Sequence, residues 1–485
     1  MNRPQRNLPL FLATILVLLF FLTRVWALTA FPMFIDEGQH VFHGQEIAAS
    51  GPLANAVEGR QFTYWYFLAF QPGDNSSLFV IRAATILVVT VGFSALLASG
   101  RILAGVPGMV FIGIAYTLST YHFFYDRLAL ADTLAGSVML VAVYFSLRLG
   151  KRYSLWDAVF VGISLFTMVM FKLTTLAFFG IPVAAVLFIR NAGITWKQRI
   201  TWAGTALLVA GGLFGSYILL AAWRGYNPFG LLLTHNTAET SHLLTRWLAN
   251  VGDFAGWISS YLSAPVFLLL MAACVVLLVR RDFFLLAVAF APLAVQLINP
   301  RQTPRYWVGA VAILLLILSV VIGRLWPRMQ RAVQWAIVGA VGAYTVIIWL
   351  PFVIPAYTHP ADIPLPTHDQ RQYIESDGSG FGVREMADIV RQEEPTQVIG
   401  LIAHCWALLY MSSDLPVLCP PINPDGSEVE ALTQLLAESR QEGVYVITEN
   451  SPYVPAGIPG EIITTLKRPG DLSTLTLYDL SPEAE

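Results

Sequence analysis

Two carboxylates stand side by side at Asp36 and Glu37, within the stretch Phe34-Ile35-Asp36-Glu37-Gly38-Gln39-His40. Adjacent acids are costly to bury unpaired, so a site must either compensate for them or use them. On a helix or turn they point in different directions, which allows two roles. One could deprotonate an attacking nucleophile while the other orients a partner or binds a metal. The plainer alternative is the exposed first turn of a helix, where acids face the dipole favourably. Asp36, His40 and His43 fall at i, i+4 and i+7, one face of a helix, and that set could ligate a divalent metal such as Zn²⁺. Polar residues lining a loop would show the same spacing. A divalent metal is therefore open as a cofactor, and none is established.

Further along, Tyr125-Asp126-Arg127-Leu-Ala-Leu-Ala-Asp132 places Asp132 about one turn into an apolar run, where it needs a cation such as Arg127. Lys172 stands between two apolar runs, and Arg301 and Arg305, with Tyr306, open another. Arg binds phosphate bidentately and Lys binds it as a point charge, so a phosphate or diphosphate at headgroup depth would account for these cations. Ordinary anionic lipid heads are the alternative. His235-Asn236 could hydrogen-bond a sugar or an acceptor.

The elements that must position these residues are membrane helices. Of 485 residues, 56% are hydrophobic and 12% charged, about half the charge of a soluble domain. The deficit falls in apolar runs near the ~20 residues that span a bilayer. The first, about 8–28, reads as a retained helix rather than a signal peptide, because Arg24 interrupts it and no small-residue cleavage site follows. Others lie at about 78–99, 103–121, 130–147, 155–171, 173–190, 201–222, 262–280, 283–298, 306–323 and 332–355, about eleven in all. The fold class expected is an α-helical polytopic membrane protein carrying a small C-terminal extracytoplasmic α/β domain. The net charge of −2 argues against nucleic acid as a partner, and membrane lipids are partners by construction.

Basic residues give the orientation. With Arg3 and Arg6 cytoplasmic, the cationic loops around Arg101, Arg148 to Arg152, Arg190 to Arg199, Arg280-Arg281 and Arg324 to Arg331 all fall on the same side. Asp36-Glu37, Asp126 to Asp132, Lys172 and Arg301 to Tyr306 then share the outer side, and the C-terminus is outside. The first outer loop, about 29–77, contains an aromatic-rich stretch at residues 60–70 that suits a helix lying in the headgroup layer. Trp247 and Trp257 could anchor a similar outer loop.

Near residue 356 the composition changes. Residues 1–355 form the transmembrane domain and 356–485 the extracytoplasmic domain, joined by a stiff linker with Pro355, Pro360, Pro364 and Pro366. Strands are expected at residues 397–401, 416–419 and 444–448, helices at 383–392 and 427–440, and a hairpin at 462–466 and 474–477. No glycine-rich dinucleotide fingerprint or P-loop is present. Cys274 lies in an apolar run, whereas Cys405 and Cys419 share the outer domain and could form one disulfide.

Taken together, Asp36-Glu37 opening the first outer loop, Arg127 and Asp132 at the mouth of a later span, Lys172 between spans, and Arg305-Tyr306 opening a late span resemble the membrane-embedded C-type glycosyltransferases that use polyprenyl-phosphate sugars. That group includes the protein O-mannosyltransferases and the lipid A aminoarabinose transferases, and the resemblance covers roughly residues 8–350. It implies that Asp36 is the general base with Glu37 in support. It also implies that Lys172, Arg305 and the adjoining Arg301 and Tyr306 hold a donor phosphate. Arg127, Asp132 and His235 remain structural or substrate-binding candidates. The implied reaction moves a sugar from a polyprenyl-phosphate donor to an acceptor (protein, glycan or lipid) on the outer face, in one inverting displacement. The competing class is a secondary transporter or lipid flippase, which would carry its unusual charges near the bilayer midplane, often in two repeated halves. A membrane-anchored binding protein is a third class, in which Asp36, Lys172 and Arg305 would be expendable.

Overall fold

A computed structural model describes residues 3–54, 59–70, 76–189, 191, 193–229, 243–299, 302–420, 429–450 and 457–481. Helix dominates. Among the described residues six helices are long and apolar enough to cross a membrane, and a pair bent by 119°, Leu244–Leu262 with Ala264–Val279, would make a seventh span. Three more apolar helices, Leu155–Phe171, Leu173–Phe188 and Phe283–Gln296, are shorter. The sequence reading counted these short segments as spans. It also counted separately the two arms of Ser77–Thr117, and the break at Ala104 and Gly105 does divide that stretch into two helices, with Gly100 packed against Gly108 across it. With these lengths the chain is an integral membrane protein.

The chain divides into two compact units. The first comprises Met1–Trp26, Glu46–Tyr66 and Ala83–Ile354. Its spans differ sharply in burial. In Pro304–Arg328, 78% of the apolar window is inside the protein, against 11% in Arg331–Thr358, so the former is a central helix and the latter a lipid-facing one. Ala131–Arg152 is also central, and it meets Val308–Leu325 at two glycines. A Cβ on Gly136 would lie 3.2 Å from the Gly309 amide nitrogen, and one on Gly309 would lie 2.9 Å from the Met139 side chain. Small residues at such a crossing let two backbones approach closely.

The second unit comprises Ala27–Gln45, Phe67–Arg82 and Pro355–Glu485. Pro355 does not begin a linker: it lies inside a helix that runs to Thr358. A π-helical turn at Thr345–Trp349 precedes that helix, the kind of local adjustment that accommodates Pro351 and Pro355 in a membrane helix. Beyond it is a five-stranded sheet of β1 (Gln397–Leu401), β2 (Val417–Leu418), β3 (Val444–Glu449), β4 (Glu461–Lys467) and β5 (Thr474–Asp479), in the order β2-β1-β3-β5-β4. The first three strands are parallel, and β5 and β4 close one edge antiparallel. Crossovers through helices Cys405–Met411 and Val429–Glu438 make the parallel half possible. Leu432 and Leu436 of the second crossover pack with Ile399, Leu401, Val444 and Val446 as the sheet's core. Cys405 and Cys419 are joined in a disulfide, with Cα atoms 5.7 Å apart.

The strand order reverses between β1 and β3, and the crevice at such a switch point lies beyond the carboxyl ends of those strands. His404 and Glu449 stand there. Glu449 accepts a hydrogen bond from the Ala403 amide at 2.6 Å and pairs with buried Arg468 at 3.3 Å. His404 is fully buried, and its Nε2 lies 2.6 Å from the Met33 carbonyl, to which it donates. Part of the first outer loop thus occupies the crevice of the sheet. Nearby, the Ile35 amide donates to the Gly378 carbonyl, and Gly380 packs so tightly on Met33 that a Cβ there would meet its carbonyl oxygen at 2.2 Å.

Burial pushes Glu449 up to about 7, opposed by the Ala403 amide and Arg468 and assisted by Asp377. Burial pushes His404 down to about 4, opposed by its bond to Met33 and by Asp36, and assisted by Arg468. A raised carboxylate contributes stability that is complete below its unfolded value of 4.5 and is lost as pH rises to about 7. A depressed imidazole contributes stability that is complete above 6.5 and is lost as pH falls to about 4. Between those values the two slopes oppose each other. Glu449→Gln is expected to leave protection of the β1 and β3 amides rising with pH from about 4 to 6.5, by up to about 1.4 kcal/mol per unit. His404→Asn is expected to leave it falling from about 4.5 to 7. Hydrogen exchange corrected for intrinsic rates checks both, and identical profiles in the two variants would contradict the assignment.

Candidate active site

Asp36 and Glu37 occupy the first turn of helix Ile35–Ser50. They have different environments. Glu37 is fully buried and accepts from the Phe34 amide at 2.8 Å, closing the helix start. Arg82 binds it two-pronged, Nε to Oε1 at 2.8 Å and Nη2 to Oε2 at 2.6 Å. The same guanidinium donates to the carbonyls of Leu28, Phe31 and Pro32 at 2.7–2.9 Å. All five donors of an arginine are thereby engaged. Asp36, by contrast, is half-buried and lies within electrostatic reach of His404. The pair therefore divides into a carboxylate that fixes the loop and one with access to solvent.

His40 is 1% exposed and stacks against Phe67 at 5.8 Å, while half-buried His43 lies beside Phe42 at 5.6 Å. Among the described residues no three His, Cys, Asp or Glu side chains are grouped to hold a metal ion, Asp36, His40 and His43 included. Other packing on this helix is aromatic and polar: Phe42 stacks on Trp406 at 5.2 Å, and Tyr410 donates to Gln45 at 2.6 Å.

In the first unit a second cluster forms around Asp132. Lys172 Nζ bonds Asp132 Oδ1, and Arg305 Nε lies 3.8 Å from Asp132 Oδ2. The Lys172 ammonium sits over the Tyr306 ring at 3.9 Å, with the Arg305 guanidinium 5.9 Å from the same ring. All three charged side chains are about a tenth exposed. The backbone explains why they meet. Asp132 is one turn before Gly136, and Arg305 is four residues before Gly309, so the glycine contact sets these side chains at one level. Helix Leu155–Phe171 ends as Lys172 turns extended, with φ −156° and ψ 112°. The break is pinned from residues 59–63: the Leu173 amide donates to Gly59 at 3.0 Å, and Thr63 donates to Phe171 at 2.9 Å. Tyr121 donates to the Pro304 carbonyl at 2.6 Å, steadying the short turn Pro304–Trp307 that carries Arg305.

Among the described residues Lys172 and Arg305 converge on the one carboxylate of Asp132, in a site of restricted water access. That is the electrostatic condition for taking up a phosphate. Arg127 is not the partner of Asp132: it donates to the Trp26 carbonyl at 3.0 Å and stacks on Phe123 at 5.0 Å. Its neighbour Asp126 pairs with Arg24 at 3.3 Å, both fully buried, with Tyr116 donating to the same carboxylate at 3.2 Å. Arg301 and His235 lie outside the described residues. Sequence reasoning did not single out Arg82 or His404. Arg82 carried a signal, a lone cation inside an apolar run, which by itself demands a buried anion. His404 carried none, since only the sheet's switch point gives it meaning.

Breaking one side of a buried ion pair leaves an uncompensated charge. Arg82→Met is therefore expected to lower stability by about 3–5 kcal/mol. Arg82→Met with Glu37→Leu should lose less than Arg82→Met alone, because no naked carboxylate remains. Thermal unfolding of the purified variants checks the order. A double variant as unstable as the single one would show that the loop carbonyls, rather than Glu37, are what Arg82 chiefly serves.

No protein-family model matches the sequence, and no curated protein does. Among solved structures, the fold is similar to that of ArnT from Cupriavidus metallidurans bound to undecaprenyl phosphate. The TM-score is 0.58 at 16% identity, over 98% of this chain and 99% of that one. The apo state of the same protein gives the same score and identity. The oligosaccharyltransferase of Archaeoglobus fulgidus in its apo form matches with a TM-score of 0.50 at 12% identity, over 93% of this chain and 70% of that one. The fold is thus that of the membrane-embedded C-type glycosyltransferases that the order of motifs resembles.

Proposed function

We propose that the protein is a glycosyltransferase that moves a sugar from a polyprenyl-phosphate donor to an acceptor on the outer face of the membrane. The observation that carries this reading is the cluster of Lys172 and Arg305 around the single carboxylate of Asp132. It gathers a lysine and an arginine, the two side chains suited to a lipid phosphate, at one point. The fold supports the reading, since the similar ArnT structure was solved with undecaprenyl phosphate. The disulfide supports the outward placement of the second unit, because such bonds persist in oxidising compartments.

In the proposed reaction, the acceptor oxygen attacks the anomeric carbon while Asp36 takes its proton. A new carbon–oxygen bond forms, the bond between the anomeric carbon and the phosphate oxygen breaks, and its electron pair leaves on the lipid phosphate. Lys172 and Arg305 stabilise the charge that develops there, so the leaving group needs no proton. One displacement inverts the anomeric configuration. Glu37 acts by holding the turn on which Asp36 stands, and Tyr306 places a ring face under the Lys172 ammonium.

Purified protein incubated with radiolabelled polyprenyl-phosphate sugars is expected to transfer or hydrolyse the sugar. Asp36→Asn should reduce turnover about 10²–10⁴-fold with donor binding retained. Lys172→Met should instead weaken donor binding roughly tenfold or more. Full activity in Asp36→Asn would remove the base assignment, and translocation of lipid or solute without sugar transfer would favour the transporter or flippase class. For sidedness, Asn450→Cys should react with a membrane-impermeant thiol reagent added outside intact cells. Reaction only after permeabilisation would invert the proposed orientation.

A further inference from the structure

The helix that carries Asp132 in its first turn carries Tyr144, Arg148, Lys151 and Arg152 toward its other end. At 1.5 Å per residue, Arg148 and Arg152 are about 24–30 Å along the axis from Asp132, a bilayer core away. There, a cavity of about 350 Å³ is lined by Arg101, Arg148, Lys151, Arg152, Tyr144 and Ile102, with Ala98. Four cations line it and no carboxylate does. The nearest counter-charge is Asp157, which Arg148 meets at 3.0 Å. The proposed sugar-transfer chemistry uses none of these residues.

We propose that this cavity is a binding site for the phosphate of an anionic phospholipid headgroup, on the membrane face opposite the Asp132 cluster. Solvated topogenic charges would stand apart from one another. These four converge instead, and the fold holds them in place. The break at Ala104–Gly105 ends the helix that carries Arg101, leaving carbonyls without their next-turn donors. Lys151 donates to one of them, Ile102, at 3.0 Å, which ties it to the arm bearing Arg101. Arg148 lies over the Tyr144 and Phe145 rings at 5.6 and 5.5 Å, and its buried Nε has no hydrogen-bond partner. Four like charges around one cavity repel until an anion enters.

A lipid, rather than a soluble phosphate, is indicated by what adjoins the cavity. Its wall is partly apolar at Ala98 and Ile102. Leu155 and Trp156, which open the next helix, are 50% and 70% exposed, as befits residues in contact with acyl chains and the interface. Basic pockets between membrane helices at this depth are suited to anionic headgroups.

The test is native mass spectrometry of the detergent-purified full chain titrated with phosphatidylglycerol, phosphatidylcholine or inorganic phosphate. Wild type should bind phosphatidylglycerol in preference to phosphatidylcholine. Arg101→Gln with Arg152→Gln, both exposed positions, should bind it about 25-fold more weakly, about fivefold for each cation removed. Lys197→Gln with Arg280→Gln, exposed cations away from the cavity, should bind as wild type. If the first pair does not fold, Arg101→Gln alone should show the fivefold loss. Equal phosphatidylglycerol binding in all variants would overturn the proposal. Inorganic phosphate binding that the cavity substitutions abolish, with no phosphatidylglycerol preference, would overturn it in favour of a soluble anion.

Discussion

Arg82 is the constraint on which the acidic loop depends. A guanidinium 0% exposed must engage its donors or unfold the segment that buries it. Here every donor is taken, three by the carbonyls of residues 28, 31 and 32 and the rest by Glu37. The chain is thus folded around one cation from Leu28 to Glu37, into the first turn of helix Ile35–Ser50. Glu37 then caps that helix through the Phe34 amide. The consequence for chemistry is a division of labour between adjacent acids. The one that is clamped cannot move toward a substrate, and the one beside it inherits the position of the turn that the clamp fixes.

The two membrane ion clusters make a useful contrast. Arg24 and Asp126 form a one-to-one pair, fully buried, with Tyr116 and the carbonyls of Tyr116 and Thr117 completing its bonds. Such a pair is electrically closed and holds helices together. Around Asp132 the ratio is two cations to one acid, at about a tenth exposure. Like charges at close range in a region of restricted water repel, so the two cations depend on the anions they meet. In the proposed reaction the lipid phosphate would join this cluster as a further partner. Gly136 and Gly309 show that the arrangement is built from the backbone outward, because the two helices that carry Asp132 and Arg305 approach closely there.

Much of the fold was legible because its signals are local. Apolar runs marked the helices. Alternating strand and helix patterns marked residues 383–392, 397–401 and 444–448 of the sheet domain, and the structure places elements there. What could not be read was any relation that depends on long-range pairing. Asp132 plainly needed a cation, but its neighbour Arg127 was the natural guess, and the actual partners are 40 and 173 positions away. Lys172 and Arg305 were noticed as misplaced charges without any indication that one carboxylate joins them. Span counting stands differently: the count of about eleven is not confirmed, because the short apolar helices and the 119° bend before Ala264 change what counts as a crossing without changing hydropathy.

The C-terminal sheet looked from its sequence like an appendage of variable purpose. Its topology argues for a specific one. An open parallel sheet offers a crevice where strand order reverses, and there nucleotides and cofactors are usually held by backbone amides. In this sheet the crevice is closed by the chain itself. His404, just beyond β1, donates to Met33, and Glu449, at the end of β3, binds the amide beside His404. That occupation accords with the lack of a glycine-rich fingerprint, since a site filled by its own first loop needs no phosphate cradle. It also gives the domain a mechanical task. Met33 is three residues from Asp36 and is gripped by His404 while Arg82 holds Pro32 and Glu37. Asp36 is therefore located by two clamps, one from Arg82 in the second membrane helix and one from the sheet. For the base role proposed for Asp36, orientation fixed before the encounter with an acceptor is orientation that the encounter does not have to supply.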